Sequence, residues 1–195
     1  MLDRIGAEKA RATSLVRYQP GSDFPAHHHP GGEEILVLSG TFSEGDTHYP
    51  AGFYLRNPDG SSHAPSSKPG ATIFVKLRQM NRGDDAFIRI DTRESRNWRR
   101  ESTRNICPLY HSDHEEVSLQ YVSKGEAIFY QSLSGGAEIV ILRGALTEGN
   151  EHYPAGSWLR LPPGEAPRLK AAASGVVFYL KIGHLHADTL AGVPL

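Results

Sequence analysis

The chain repeats itself, and that repeat constrains its architecture more than any other feature. Residues 39 to 60 lie over residues 143 to 164 at an offset of 104, with 12 of 22 positions identical. The identities include Gly40/Gly144, the His-Tyr-Pro-Ala-Gly run at 48–52 and 152–156, Arg56/Arg160 and Pro58/Pro162. The register extends back through Glu34-Ile-Leu-Val-Leu38 against Glu138-Ile-Val-Ile-Leu142 to Gly21 against Gly125. Forwards, one inserted residue brings Ile73-Phe-Val-Lys76 onto Phe178-Tyr-Leu-Lys181. The 195 residues therefore hold two small units, at about 13–77 and 117–181, rather than one large domain. Each is small for a barrel, so extra strands are expected from the N-terminal residues and from 86–91.

The 20 glycines and 13 prolines punctuate short runs that alternate or are β-branched, a spacing that predicts an all-β fold with strands of about five residues. Helical periodicity is confined to Ile5–Thr13 and a few residues near the end. With 38% hydrophobic residues the chain has too much apolar content for disorder. No apolar run reaches the roughly 18 residues of a membrane span, and the residues up to Ala12 are too charged for a secretory signal, so a cytoplasmic protein is expected. A net charge of −1 leaves no cationic excess for nucleic acid or an anionic membrane. Cys107 is the one cysteine, which excludes an intrachain disulfide and a Cys-rich zinc module. It has no base partner in view and is not read as a nucleophile.

Subtracting one unit from the other separates chemistry from scaffold. In Pro25-Ala-His-His-His-Pro-Gly-Gly-Glu-Glu34, strand alternation puts His27 and His29 on one face and His28 on the other, with a carboxylate soon after on the expected pairing strand. Glu34 is matched by Glu138, whereas Glu33 faces Ala137; His27 and His29 face Gln131 and Leu133, and His63 faces Pro167. Residues lost together point to a common task. His27, His29, Glu33 and His63 form the candidate set, while His48, matched by His152, reads as framework and His28 as surface. Three neutral imidazoles and one carboxylate suit one divalent transition metal, zinc or iron first, with manganese, nickel or copper as alternatives.

These residues carry a resemblance. Gly21-x5-His27-x-His29-x3-Glu33-x6-Gly40 matches the first cupin motif at every position, and Gly52-x5-Pro58-x-Gly60-x2-His63 matches the second, which departs at its end with Ser67 in place of Asn. The wording around them, with Gly-Gly-Glu-Glu-Ile-Leu-Val-Leu at 31–38 and Tyr-Pro-Ala-Gly-x-Tyr-Leu-Arg-Asn-Pro at 49–58, resembles the cupin domain of the anti-sigma factor ChrR. The resemblance implies two cupin-type antiparallel jelly-roll barrels in tandem, a bicupin. Residues 1–90 would be the metal-binding barrel and 91–195 a degenerate second barrel without metal ligands, kept for packing. It also implies a homodimer. Anti-sigma factors of this type carry a separate helical zinc domain with a His-x3-Cys-x2-Cys motif; about 12 residues precede the first cupin strand here, so sigma binding by that route is not expected.

Two functions follow from the resemblance. One is a sensory or regulatory module for a small molecule or an oxidant. The other is a mononuclear metal-dependent dioxygenase cleaving a small diketone or phenolic substrate, since some double cupins cleave carbon–carbon bonds with dioxygen; no catalytic residue can be named for it. The remaining features read as structure. The connector, 78–116, holds eight of the fifteen arginines, at 78, 82, 89, 93, 96, 99, 100 and 104, and is expected to be solvated and salt-bridged to the units. His184-x-His186 is expected at the surface, and Glu115-Glu116 after His111 and His114 at the start of a strand. Tyr54, Phe74 and Lys76 read as packed strand residues rather than a pocket lining.

Overall fold

The computed structural model describes residues 1–7, 10–81 and 83–185. Nearly all regular structure is antiparallel β, and the chain divides into two compact units between Arg93 and Glu94. The first unit contains β1 (Asp3–Ile5), β2 (Arg11–Tyr18), β3 (Ser22–Asp23), β4 (His27–His28), β5 (Glu33–Glu44), β6 (Thr47–Pro50), β7 (Phe53–Asn57), β8 (Ser62–His63), β9 (Pro65–Ser67), β10 (Ala71–Leu77) and β11 (Ile88–Asp91). The second contains a 3-10 turn, Ser95–Asn97, then β12 (Arg99–Glu101), β13 (Arg104–His111), β14 (Glu116–Val122), β15 (Ala137–Glu148), β16 (Glu151–Pro154), β17 (Trp158–Leu161) and β18 (Lys170–Ile182).

The helix expected over Ile5–Thr13 is not formed. Gly6 turns the chain at φ +99°, and β1 and β2 pair across that turn with Asp3 opposite Thr13, so sheet pairing overrides a local period. The helical reading near the end lies largely outside the described residues. The extra strands are present in the first unit: β1 from the N-terminal residues joins β2, and β11 from the connector joins β7, giving the order β1-β2-β10-β5-β7-β11.

Strand β5 bends through the unit. Its first half pairs with β7 and β10, and its last residues, Thr41–Glu44, pair with β6. The switch falls at Gly40, whose φ is +70° and whose hypothetical Cβ would sit 1.9 Å from the Gly70 carbonyl oxygen. Only glycine allows that approach. The repeat places Gly144 in β15 under the same constraint, 2.1 Å from the Gly175 oxygen. Gly52 and Gly156 occupy equivalent turns, at φ +96° and +90°, donating to Val37 and Ile141 respectively at 2.8 Å.

Each unit has its own core on one face of these strands. Ile35, Val37, Phe42, Leu55, Ile73 and Val75 form it in the first, and Val122, Ile139, Ile141, Leu146, Val176 and Phe178 are among those that form it in the second. Burial of each such side chain stabilises by roughly 1.5–3 kcal/mol, which is what holds the strands around the site. The alternate residues face the other way, and all but Arg160 of the row they form are buried too. Lys76, Glu34 and Arg56 lie side by side across β10, β5 and β7, and Lys181, Glu138 and Arg160 repeat the row across β18, β15 and β17. Tyr54 and Phe74 are likewise buried.

Candidate metal centre

The three histidines reach one point from two short strands and a turn. β4 pairs with β8, so His27 and His63 are direct cross-strand partners. His29 follows β4, and its backbone is clasped by the second motif: its N–H donates to the Ser61 oxygen at 2.9 Å, and its carbonyl accepts from Gly32 and Gly60 at 3.1 Å. Asp59 completes the clasp by accepting from the Gly31 N–H at 2.7 Å. The imidazoles stand nearly edge to face, with centroids 5.0, 5.0 and 4.4 Å apart, and offer ligand nitrogens within 4.8 Å of one another. Among the described residues this is the one group of three or more histidine, cysteine or acidic side chains so arranged.

Two of the three rings have their outer nitrogen occupied. His27 Nδ1 lies 3.0 Å from the Pro25 oxygen and His63 Nδ1 lies 2.6 Å from Glu44 Oε1. A proton on each Nδ1 leaves Nε2 as the free lone pair, the usual way a ligand imidazole is oriented. His29 Nε2 is buried with no hydrogen-bond partner, an orphan that a cation would satisfy. Glu33 opens β5, the neighbour of β7 and β10 rather than of β4, which corrects the expected pairing. Its Oε2 nevertheless stands 3.5 Å from His29 Nε2 and 3.6 Å from His63 Nε2. The donor set fits a first-row divalent ion.

Electrostatics agree with that chemistry. Burial, and then the proximity of His63 and His27, hold His29 down at about 4, so its imidazole is neutral near pH 7. Burial pushes Glu33 upward, partly opposed by His63 and the Asn57 hydrogen bond. Burial also acts to raise Glu44, but the His63 bond and Arg89 outweigh it and keep that carboxylate below its ordinary range. Tyr18 stacks edge-on against Phe24 and Phe42, while Phe42 in turn lies 5.8 Å from the His63 ring. Burial, with Glu33 nearby, raises the Tyr18 phenol to about 12.

Sequence reasoning missed three supporting residues. Asn57 donates to Glu33 Oε2 at 3.0 Å and accepts from Arg89 at 2.6 Å; Arg89 also donates to Glu44 Oε2 at 2.9 Å. Asn57 was findable, because Leu161 replaces it in the second unit along with the lost ligands. Glu44 was hidden because Glu148 retains it. Arg89 belongs to the connector, where a solvated role was expected. Arg93, Arg96 and Arg99 do make local, exposed ion pairs, but Arg89 is drawn into the site.

The other histidines sort as follows. His28 is exposed, and His48 is exposed with its Nδ1 2.9 Å from Ser43 Oγ, in the hairpin position that His152 repeats. His184 is not at the surface: it is 1% exposed, with Nε2 3.5 Å from Glu138 Oε2. A neighbouring buried pair, Lys181 and Glu115 at 3.0 Å, accompanies it; His186 lies outside the described residues. Cys107 is buried, and burial pushes its thiol up to about 11, away from the thiolate form.

The second unit repeats the backbone hydrogen bonds of the His29 turn. The Leu133 oxygen accepts from Gly136 and Gly164, as the His29 oxygen accepts from Gly32 and Gly60. Its side chain, however, is part of the apolar core.

Residues 1–81 match the family model described as the ChrR cupin-like domain. No curated protein matches the chain. Among solved structures, a candidate dioxygenase from Nostoc punctiforme is similar at 17% identity and a TM-score of 0.74, covering 92% of this chain and 72% of its own. A cupin 2 conserved barrel domain protein from Leptotrichia buccalis is similar at 11% identity and 0.64, covering 93% and 87%. The pirin YhhW from Escherichia coli, in complex with nickel(II), is similar at 15% and 0.63, covering 87% and 80%. The all-β fold is therefore of the cupin-barrel class. No helix among the described residues is long and apolar enough to cross a membrane.

Proposed function

We propose that the first unit binds one divalent transition metal through Nε2 of His27, His29 and His63 and the carboxylate of Glu33, and that the protein is a bicupin whose metal site senses a small molecule or an oxidant. The observation that carries this reading is the buried Nε2 of His29, left without a hydrogen bond at the point where two other imidazoles and a carboxylate converge. When bound, the ion supplies Lewis acidity and open coordination positions. The chain supplies the rest. His27 and His63 are held in one tautomer by Pro25 and Glu44, His29 stays neutral, and Asn57 fixes the Glu33 carboxylate. The match of residues 1–81 to the ChrR cupin-like domain favours sensing. Zinc and iron are the preferred ions.

A second reading, a metal-dependent dioxygenase for a small diketone or phenol, is favoured by the likeness to the Nostoc protein and by the aromatic side chains beside the site. Metal analysis of protein from its own host, followed by oxygen-uptake screening with diketones and phenols, separates the two. Oxygen consumption that depends on substrate and metal favours the enzyme. Its absence, with a ligand- or oxidant-dependent change at the metal, favours the sensor. Protein that takes up no ion overturns both.

A further inference from the structure

A chain of hydrogen bonds ties the site to the segment by which the chain leaves the first unit. Glu33 Oε2 accepts from Asn57, Asn57 Oδ1 accepts from Arg89 Nη2, that same Nη2 donates to Glu44 Oε2, and Glu44 Oε1 meets His63 Nδ1. The arginine spends its remaining donors locally: Nε on the Tyr49 hydroxyl at 3.1 Å, and Nη1 on the backbone oxygens of Arg56 and Ile88 at 3.1 and 2.8 Å. Its guanidinium carbon lies 4.2 Å from the centre of the Phe87 ring and 5.4 Å from that of Tyr49. One side chain is therefore linked, through Asn57 and through Glu44, to both Glu33 and His63.

Arg89 sits in β11, a four-residue strand at the edge of its sheet that among the described residues pairs with β7 alone. A strand this short with one neighbour is weakly held by its own ladder, so the Arg89 side chain, together with Thr92, whose N–H and hydroxyl donate to the Gly52 oxygen at 3.0 and 2.6 Å, adds to what keeps it docked. Glu94, three residues after the strand, opens the second unit.

We propose that Arg89 is the positioning residue that couples metal occupancy to the docking of β11, so that the connector strand reports the state of the site. The proposal rests on the four-residue metal reading above. An ion that fixes Glu33 and His63 also fixes Asn57 and Glu44, and through them the guanidinium and its strand. By linkage, a docked β11 tightens the site in return.

The test is hydrogen exchange of the full chain with and without zinc(II), read at residues 88–91 and at 27–29, together with the zinc affinity. In the wild type, zinc slows exchange at both segments. In Arg89→Met, zinc binds about 10- to 100-fold more weakly, and at saturation it still protects 27–29 but no longer 88–91. Glu44→Gln, which preserves the size of the side chain, shows the same loss and covers the case in which Arg89→Met does not fold. Arg96→Ala, a connector arginine paired only with Glu94 at the surface, behaves as wild type. Zinc binding that leaves exchange at 88–91 unchanged in the wild type overturns the coupling while the metal site stands. A wild type that takes up no zinc overturns both.

Discussion

His63 Nδ1 lies 2.6 Å from Glu44 Oε1, and that contact decides which edge of the imidazole faces His27 and His29. Removing the ligand and removing its orienting partner should differ in degree. His63→Ala abolishes tight metal binding, Glu44→Gln weakens it by about 10- to 100-fold, and His48→Ala leaves it unchanged. Titration with zinc against a competing chelator measures all three, and equal losses for His63→Ala and His48→Ala contradict the assignment.

Acid should act on the metal-free site through two groups of opposite sign. His29 is held at about 4, so the unfolded chain binds a proton there first and stability falls as pH drops from about 6.5 to about 4. Glu33 is raised, so the folded protein protonates first and stability rises as pH falls through its pKa. Glu33→Gln removes the opposing contribution. Its thermal midpoint, without metal, is expected to fall more between pH 6.5 and 4.5 than that of Glu33→Gln/His29→Gln; identical falls contradict the placement of His29.

How far the sequence could be read depended on the range of the interactions involved. His27, His29 and His63 were visible because their spacing and their joint loss in the second unit are both linear properties, and the same subtraction chose Glu33 over Glu34. In the structure Glu33 Oε2 lies 3.5 Å from His29 Nε2 and 3.6 Å from His63 Nε2, while Glu34 lies in the buried row beside Arg56. Arg89 was not visible, because its role depends on β11 pairing with β7 more than thirty residues away. His184 was misread for the same reason: nothing local distinguishes a histidine bound for a buried glutamate from one at the surface. The false helix at Ile5–Thr13 shows tertiary pairing winning over a short period.

The repeated buried row should carry unequal weight in the two units. The Arg56 side chain is fully buried against Glu34 and Asp84, whereas Arg160 is 23% exposed and stands 4.0 Å from Glu138. Arg56→Met leaves buried carboxylates without that partner and is expected to cost about 3–5 kcal/mol. Arg160→Met costs less. Urea denaturation of both variants checks the order, and equal costs contradict it.

Two glycines should be irreplaceable for a reason their neighbours lack. An added Cβ at Gly40 or Gly144 meets a carbonyl oxygen at 1.9 or 2.1 Å, while at Gly45 it meets nothing within 4 Å although φ is +57°. Alanine at Gly45 is expected to cost about 1–2 kcal/mol, the left-handed backbone penalty. At Gly40 and Gly144 the clash adds about 1–3 kcal/mol more. Denaturation midpoints in which Gly40→Ala is no worse than Gly45→Ala contradict the account of the β5 bend.

One metal ion per chain, held in the first unit alone, is the expected stoichiometry, and elemental analysis of surface-stripped protein measures it. The site residues His27, His29, Glu33 and His63 stand as Gln131, Leu133, Ala137 and Pro167 in the second unit, with Leu133 built into the core there. The account predicts one transition-metal ion per wild-type chain and essentially none in His27→Ala/His63→Ala. Two ions per chain, or one that survives the double substitution, would contradict it.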